Sequence, residues 1–211
     1  MAKIEEVKAN VEKGKTKLVP GLVQDALDEG NPAGDILQAM VEGMGVVGDR
    51  FSSGEIFVPE MLMAAKAMSK GVDVLKPHMA GSSSTSLGTC VIGTVKGDLH
   101  DIGKNLVAMM VESAGFTMVD LGVDVPAEKF IDAIKANENV TLVACSGLLT
   151  TTMPALKDTV ATLKSCGLNG FKVIVGGAPV TEAFADEIGA DGYAPDAGSA
   201  AVIAKDLVNA A

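Results

Sequence analysis

The chain has 211 residues, 48% of them hydrophobic and 21% charged, with a formal charge of −10. That suffices for one large folded domain or two small ones, and the negative charge disfavours nucleic acid and anionic membrane surfaces as partners because like charge repels at long range. No apolar run approaches the roughly 18 residues that span a bilayer, and the opening MAKIEEVKANVEKGK is charged rather than signal-like, so a cytoplasmic location is expected.

Residues 1–80 carry apolar side chains at helical spacing: Ile4, Val7 and Val11, then Leu18, Leu22 and Ala26, then Ile36, Met40, Met44 and Val47, then Met61, Ala65 and Met68. Gly14, Gly30 and Gly54 punctuate the series, and Pro32 and Pro59 suit the first turns of the third and fourth helices. A four-helix bundle is expected there. His78, in Lys76-Pro77-His78, closes it. Residues 81–88, GSSSTSLG, have the composition of a linker.

From residue 89 to 211 the pattern changes to short apolar strands alternating with amphipathic helices. Strands are expected at 89–95, 117–121, 140–145, 171–175 and 191–194, and helices around 103–115, 127–137, 153–165, 180–188 and 197–209. Five βα units of this kind build a doubly wound, flavodoxin-like or Rossmann-like parallel sheet with both faces covered. Cys90, Cys145 and Cys166 lack CxxC spacing, and two of them lie in apolar runs, so all three are expected to be reduced and structural.

In such sheets ligands bind beyond the carboxyl ends of the strands, which directs attention to GDLHDIG after the first, SGLLTTT after the third and GGAPV after the fourth. His100 lies in a loop and is one of only two histidines; a neutral imidazole is a common metal ligand when an oxygen acceptor fixes its other nitrogen, and Asp98 is placed to do so. Alone, the pair reads more readily as a surface histidine beside a capping aspartate. Thr151 and Thr152 before Pro154 suit a helix cap, and Gly176-Gly177 suit a turn. Together the three loops describe a slot at one sheet edge, with a histidine at its mouth and small residues along it.

Asp98-Leu99-His100-Asp101-Ile102-Gly103, then Ser146-Gly147-Leu148, then Gly176-Gly177 resemble the ordered D-x-H-x-x-G, S-x-L and G-G motifs of the cobalamin-binding domain. Residues 47–51 (VGDRF) and 54–60 (GEIFVPE) resemble the helical cap of corrinoid methyltransferases. Almost the whole chain is covered, and it is similar to the cap plus cobalamin domains of methionine synthase. Its length is similar to the small corrinoid proteins of methylamine, quaternary amine, methanol and aryl methyl ether metabolism.

The resemblance implies a cobalamin or related corrinoid bound base-off and His-on, with His100 on the lower face of cobalt and Asp98 on its other imidazole nitrogen. Thr152 stands where the family usually has a serine in this relay. Ser146, Leu148, Thr150, Gly176 and Gly177 would line the slot for the displaced nucleotide tail, beside Asp101, Ile102 and Gly103 of the motif. Phe57 matches the residue that shields the upper face, with Met61 and Leu62 as neighbours or as bundle core. Gly177→Val is expected to fill the slot while the domain stays folded.

The implied function is a methyl carrier, loaded at Co(I) by a substrate-specific methyltransferase and unloaded from methyl-Co(III) by a corrinoid:thiol or corrinoid:folate methyltransferase, with a reductive activation protein. The implied setting is methanogenesis or acetogenesis. An adenosylcobalamin mutase subunit, which would not carry this cap, and a corrinoid-sensing regulator, which would be expected to carry a helix-turn-helix region, are the alternatives.

Overall fold

The computed structural model describes residues 2–78 and 87–210, and the chain divides into two compact units, Met1–Thr85 and Ser86–Ala211. Most of the expected linker lies outside the described residues. Its last two residues, Leu87 and Gly88, are bonded within the second unit: the Leu87 carbonyl accepts from Thr141 Oγ1 at 2.8 Å and that of Gly88 from Thr117 N at 2.9 Å.

The first unit consists, among the described residues, of α1 (Ala2–Glu12), α2 (Val19–Asp28), α3 (Ala33–Ser52) and α4 (Val58–Leu75). Pro32 stands immediately before α3, and Pro59 lies in the first turn of α4. There Glu60 Oε2 accepts from Phe57 N at 3.1 Å, half of a capping box. Val7, Val11, Ile36, Met40, Met44, Val47, Met61, Ala65 and Met68 are all buried, as helical spacing requires. In α2 Ala26 is buried as expected, but the other two inward positions move by one residue: Val19 and Val23 are buried, whereas Leu18 is 56% exposed and Leu22 half-buried. Leu18 precedes the helix, so the inward-facing series starts at Val19; spacing alone fits both series. His78 is exposed in a short 3₁₀ turn after α4.

The second unit is a parallel sheet of β1 (Thr89–Thr94), β2 (Thr117–Asp120), β3 (Val140–Ser146), β4 (Lys172–Gly176) and β5 (Gly192–Ala194). Its strand order is β2-β1-β3-β4-β5. The helices are α5 (Ile102–Ser113), α6 (Ala127–Ala136), α7 (Met153–Ser165), α8 (Glu182–Ile188) and α9 (Ala197–Asn209). Every expected strand and helix of this unit is present, with ends displaced by at most two residues. Helices α5 and α9 pack together, α6 and α8 each pack against α7, and β1 is buried along its whole length, as a central strand covered on both faces must be. A Cβ on Gly93 would lie 2.8 Å from the Phe130 ring of α6, so only glycine lets that helix seat on β1.

The order 2-1-3-4-5 reverses between β1 and β3. Chains leaving those two strands turn to opposite sides and open a crevice beyond their carboxyl ends. Register places Thr94, Ser146 and Gly176 side by side at that edge, so the three loops singled out in the sequence leave the sheet as neighbours.

Candidate functional site

Asp98 follows β1 and has no exposed surface. An isolated buried carboxylate is costly, and this one is offset by five bonds. Its Oδ1 accepts from His100 N at 3.1 Å and meets His100 Nδ1 at 2.7 Å. Its Oδ2 accepts from Leu148 N at 2.7 Å, Leu149 N at 3.3 Å and Thr152 Oγ1 at 2.8 Å. Burial pushes the carboxyl pKa up, but the donors of Leu148, His100 and Thr152 outweigh it and hold Asp98 well below the usual carboxylate range. Asp98 is therefore ionised at neutral pH.

That charge sets the histidine. An ionised Asp98 only accepts, so Nδ1 carries a hydrogen toward it, and in that tautomer it is Nε2 that keeps a lone pair for another partner. The His100 side chain is 49% exposed, and Nε2 has no hydrogen-bond partner among the described residues. The extra methyl of Thr152 does not displace its hydroxyl from the relay. Asp98, His100 and Thr152 are thus brought together from two loops whose motifs lie about fifty residues apart in the chain.

The loops beside His100 expose several large apolar side chains. Leu99 and Ile102 are 72% and 77% exposed, and Leu148 and Leu149 are also exposed. Asp101 stands at the start of α5 and makes no side-chain cap bond. Gly103 follows in the first helical turn, and a Cβ there would meet nothing within 4 Å. Nothing within the chain requires glycine at that position, whereas a flat ligand lying against the helix start would.

The glycine pair has a different cause. A Cβ on Gly177 would overlap the Gly147 carbonyl oxygen, and Gly177 has φ +131°; a Cβ on Gly176 would lie 2.7 Å from Ala194 O. Both glycines are thus demanded by the close approach of the strand ends themselves, so a valine at position 177 would strain the fold as well as fill the slot, where the sequence alone suggested a domain that stays folded. Ser146 ends β3, its carbonyl accepting from Val95 N at 2.9 Å, and Thr150 is exposed in the turn before α7.

In the helical unit Phe57 is 68% exposed just before α4, whereas Met61 is fully buried bundle core and Leu62 half-buried. A cleft of about 770 Å³ in that unit, lined by residues including Lys13, Lys15, Lys17, Ile56 and Met63, contains none of the site residues named from the sequence. Sequence reasoning missed Leu99 and Leu149, apolar neighbours of the motif positions, and two residues that fasten the histidine loop, Thr94 and Asp124. Asp124 carried no signal, lying alone after the second strand.

The donor set fits a corrinoid. Among the described residues no group of three or more His, Cys, Asp or Glu converges as a metal cage, so His100 offers a single nitrogen. A single nitrogen suits a metal that arrives with its other ligands already in place, on a flat macrocycle that the apolar rim can receive.

The resemblance named from the motifs is borne out by comparison with known proteins. Residues 88–202 match the B12 binding domain, and residues 3–76 match a second family of the same description. Dimethylamine corrinoid protein 1 of Methanosarcina acetivorans is 45% identical over 197 residues, 92% of this chain and 92% of its own length. A cobalamin-binding protein from Desulfitobacterium hafniense, known as a crystal structure, shares 32% identity with a TM-score of 0.84, over 98% of this chain and 99% of that one. A chain of the methanol:cobalamin methyltransferase complex of Methanosarcina barkeri shares 31% identity with a TM-score of 0.83, over 100% of this chain and 81% of that one. With both units matched and sequence identity of this extent along nearly the whole chain, the protein belongs to the family of B12-binding corrinoid proteins.

Proposed function

We propose that the protein is a methyl carrier that binds a corrinoid base-off and His-on, with His100 Nε2 as the lower ligand. When bound, the cofactor supplies a cobalt that takes up a methyl group in its Co(I) state and releases it from Co(III). The observation that carries the reading is the outward Nε2 of a histidine whose other nitrogen is held by a buried, fully bonded carboxylate.

The chain's own part is to place and release that ligand. Asp98 and Thr152 hold the imidazole through Nδ1, and a proton taken up at His100 when Nε2 is released stays paired with the Asp98 charge. Leu99, Ile102, Leu148 and Leu149 offer the apolar surface for the lower face of the macrocycle. Ser146, Thr150 and the carbonyl-lined edge at Gly176 and Gly177 are the proposed path of the nucleotide tail. Exposed Phe57 of the helical unit is the proposed shield of the upper face.

A methylated amine, with dimethylamine first, is the proposed donor, because relatives bearing that name reach 49% identity where the methanol system's chain has 31%. An amine-specific methyltransferase would load the carrier, and a thiol or folate methyltransferase would unload it. A reductive activation protein would restore the cofactor after oxidation. No helix among the described residues is long and apolar enough to cross a membrane, consistent with the proposed cytoplasmic setting.

The test uses ¹⁵N-histidine-labelled protein loaded with cobalamin and reduced to Co(II). Electron paramagnetic resonance should show the doublet of one axial ¹⁵N, and His100→Ala should lose it while retaining corrinoid. A ¹⁴N triplet from the cofactor's own base in the wild type would refute His-on binding. Methylation of the Co(I) form by a dimethylamine methyltransferase, but not by a methanol enzyme, tests the donor; the reverse result would assign methanol.

A further inference from the structure

The relay fastens the imidazole ring, but two of its bonds join His100 to Asp98, two residues away in the same loop, and cannot by themselves hold that loop against the sheet. A second set of contacts does so from other elements. Thr94, buried at the end of β1, donates from Oγ1 to the His100 carbonyl at 2.8 Å. Asp124, in the segment after β2, grips the loop at two points: its Oδ1 accepts from Gly97 N at 2.7 Å, and its own N donates to the Asp98 carbonyl at 2.9 Å. Asp124 is held in turn, since its neighbour Val125 donates to Thr94 O at 2.9 Å and bridges Val95. Asp124 has φ +54°, one of two non-glycine residues in the described chain with positive φ. That sparsely populated conformation is kept where its surroundings enforce it.

We propose that Thr94 and Asp124 are positioning residues for the lower ligand, setting how completely His100 returns to cobalt each time it has been released. This rests on the corrinoid reading above. A ligand that detaches and rebinds in every cycle loses affinity if its loop must be re-ordered each time, since fixing one residue's backbone costs about 1–2 kcal/mol. The histidine loop contains Gly97 at φ +83°, where glycine leaves the unbound chain its widest freedom. Bonds at Gly97 N, Asp98 O and His100 O remove that freedom before cobalt is engaged.

The test separates bonding from strain and packing. Asp124→Gly removes the acceptor while glycine adopts the positive φ without penalty; Asp124→Asn keeps an acceptor and also tolerates it. Thr94→Val removes the donor at nearly constant shape, and Thr94→Ser restores it. Full-length protein loaded with cobalamin to equal occupancy and reduced to Co(II) is read by the axial ¹⁵N splitting. The ratio of His-bound to His-free signal should fall about tenfold in Asp124→Gly and in Thr94→Val, the loss of about 1.4 kcal/mol of preorganisation. The Asn and Ser variants should stay within about twofold of wild type. In cofactor-free protein, hydrogen exchange at Gly97 N–H should accelerate at least tenfold in Asp124→Gly.

An unchanged ratio in Asp124→Gly, or Asn and Ser variants as impaired as Gly and Val, would overturn the assignment. Should Thr94→Val fail to fold, exposed Asp124 still decides the matter. A wild-type protein without the ¹⁵N doublet would sink the corrinoid reading and this inference together. A wild-type doublet with no change in the variants would sink the inference alone.

Discussion

Asp98→Asn removes one charge and exchanges one oxygen for an NH₂ group at a site with no exposed surface. The side chain has two orientations, and each creates a conflict. With the amide oxygen in the Oδ2 place, the bonds from Leu148, Leu149 and Thr152 survive, but the NH₂ faces His100 N–H and Nδ1. The ring then accepts at Nδ1 and carries its proton on Nε2, the nitrogen that must be bare to bind a metal. With the orientation reversed the imidazole is kept, but the NH₂ opposes Leu148 N–H, which sits 2.7 Å from that oxygen in the wild type. A hydrogen bond to a charged group is worth about 1.5–3 kcal/mol, and a buried donor left without a partner costs about 1–3 kcal/mol. The first orientation loses the fewer contacts, so the cofactor-free protein should be destabilised by about 2–3 kcal/mol. Urea unfolding measures this, and ¹⁵N chemical shifts of the His100 ring report the tautomer. The motif alone suggested that Asp98 serves the imidazole; its Oδ2 bonds show that it also anchors the loop after β3. An unfolding free energy within about 0.5 kcal/mol of wild type, with Nδ1 still protonated, would refute this account.

Three further outcomes follow from the same geometry. Gly177→Val places a Cβ on the Gly147 carbonyl at a backbone conformation β-branched residues avoid, so it should lower the melting temperature of the cofactor-free protein sharply or prevent its purification; normal melting would show that the strand ends can part. Gly103→Ala meets no neighbour and replaces a helical glycine, which should leave cofactor-free stability unchanged or raise it by up to about 1 kcal/mol. Corrinoid retention should nevertheless fall, and undiminished occupancy would remove Gly103 from the site. Burial pushes the Cys90 thiol up, and that of Cys145 to about 12, so at pH 8 iodoacetamide should modify the partly exposed Cys166 while the other two react only after unfolding; rapid native labelling of three thiols would contradict the burial.

The fold of both units could be read from local pattern, as in the helical spacing of Val7 and Val11 in α1 or the largely apolar β1, which is buried along its whole length. In α2, two series one residue apart satisfied the same period, and packing chose Val19 over Leu18. The strand-end rule then led to the site, since GDLHDIG, SGLLTTT and GGAPV each follow a strand. Which of those residues touch was a tertiary matter. Asp98 meets Leu148 and Thr152 only because the order reversal sets β1 beside β3. The glycine pair looked like room for a ligand; close contacts with Gly147 and Ala194, which lie far from it in the sequence, give it a second reason that no local pattern showed. Asp124 had no pattern to mark it, because its role is to bond the backbone of a loop that precedes it by some 27 residues. Periodicity and motif are properties of neighbours along the chain and are written in the sequence; contacts between loops that the sheet brings together are decided by the packed structure alone.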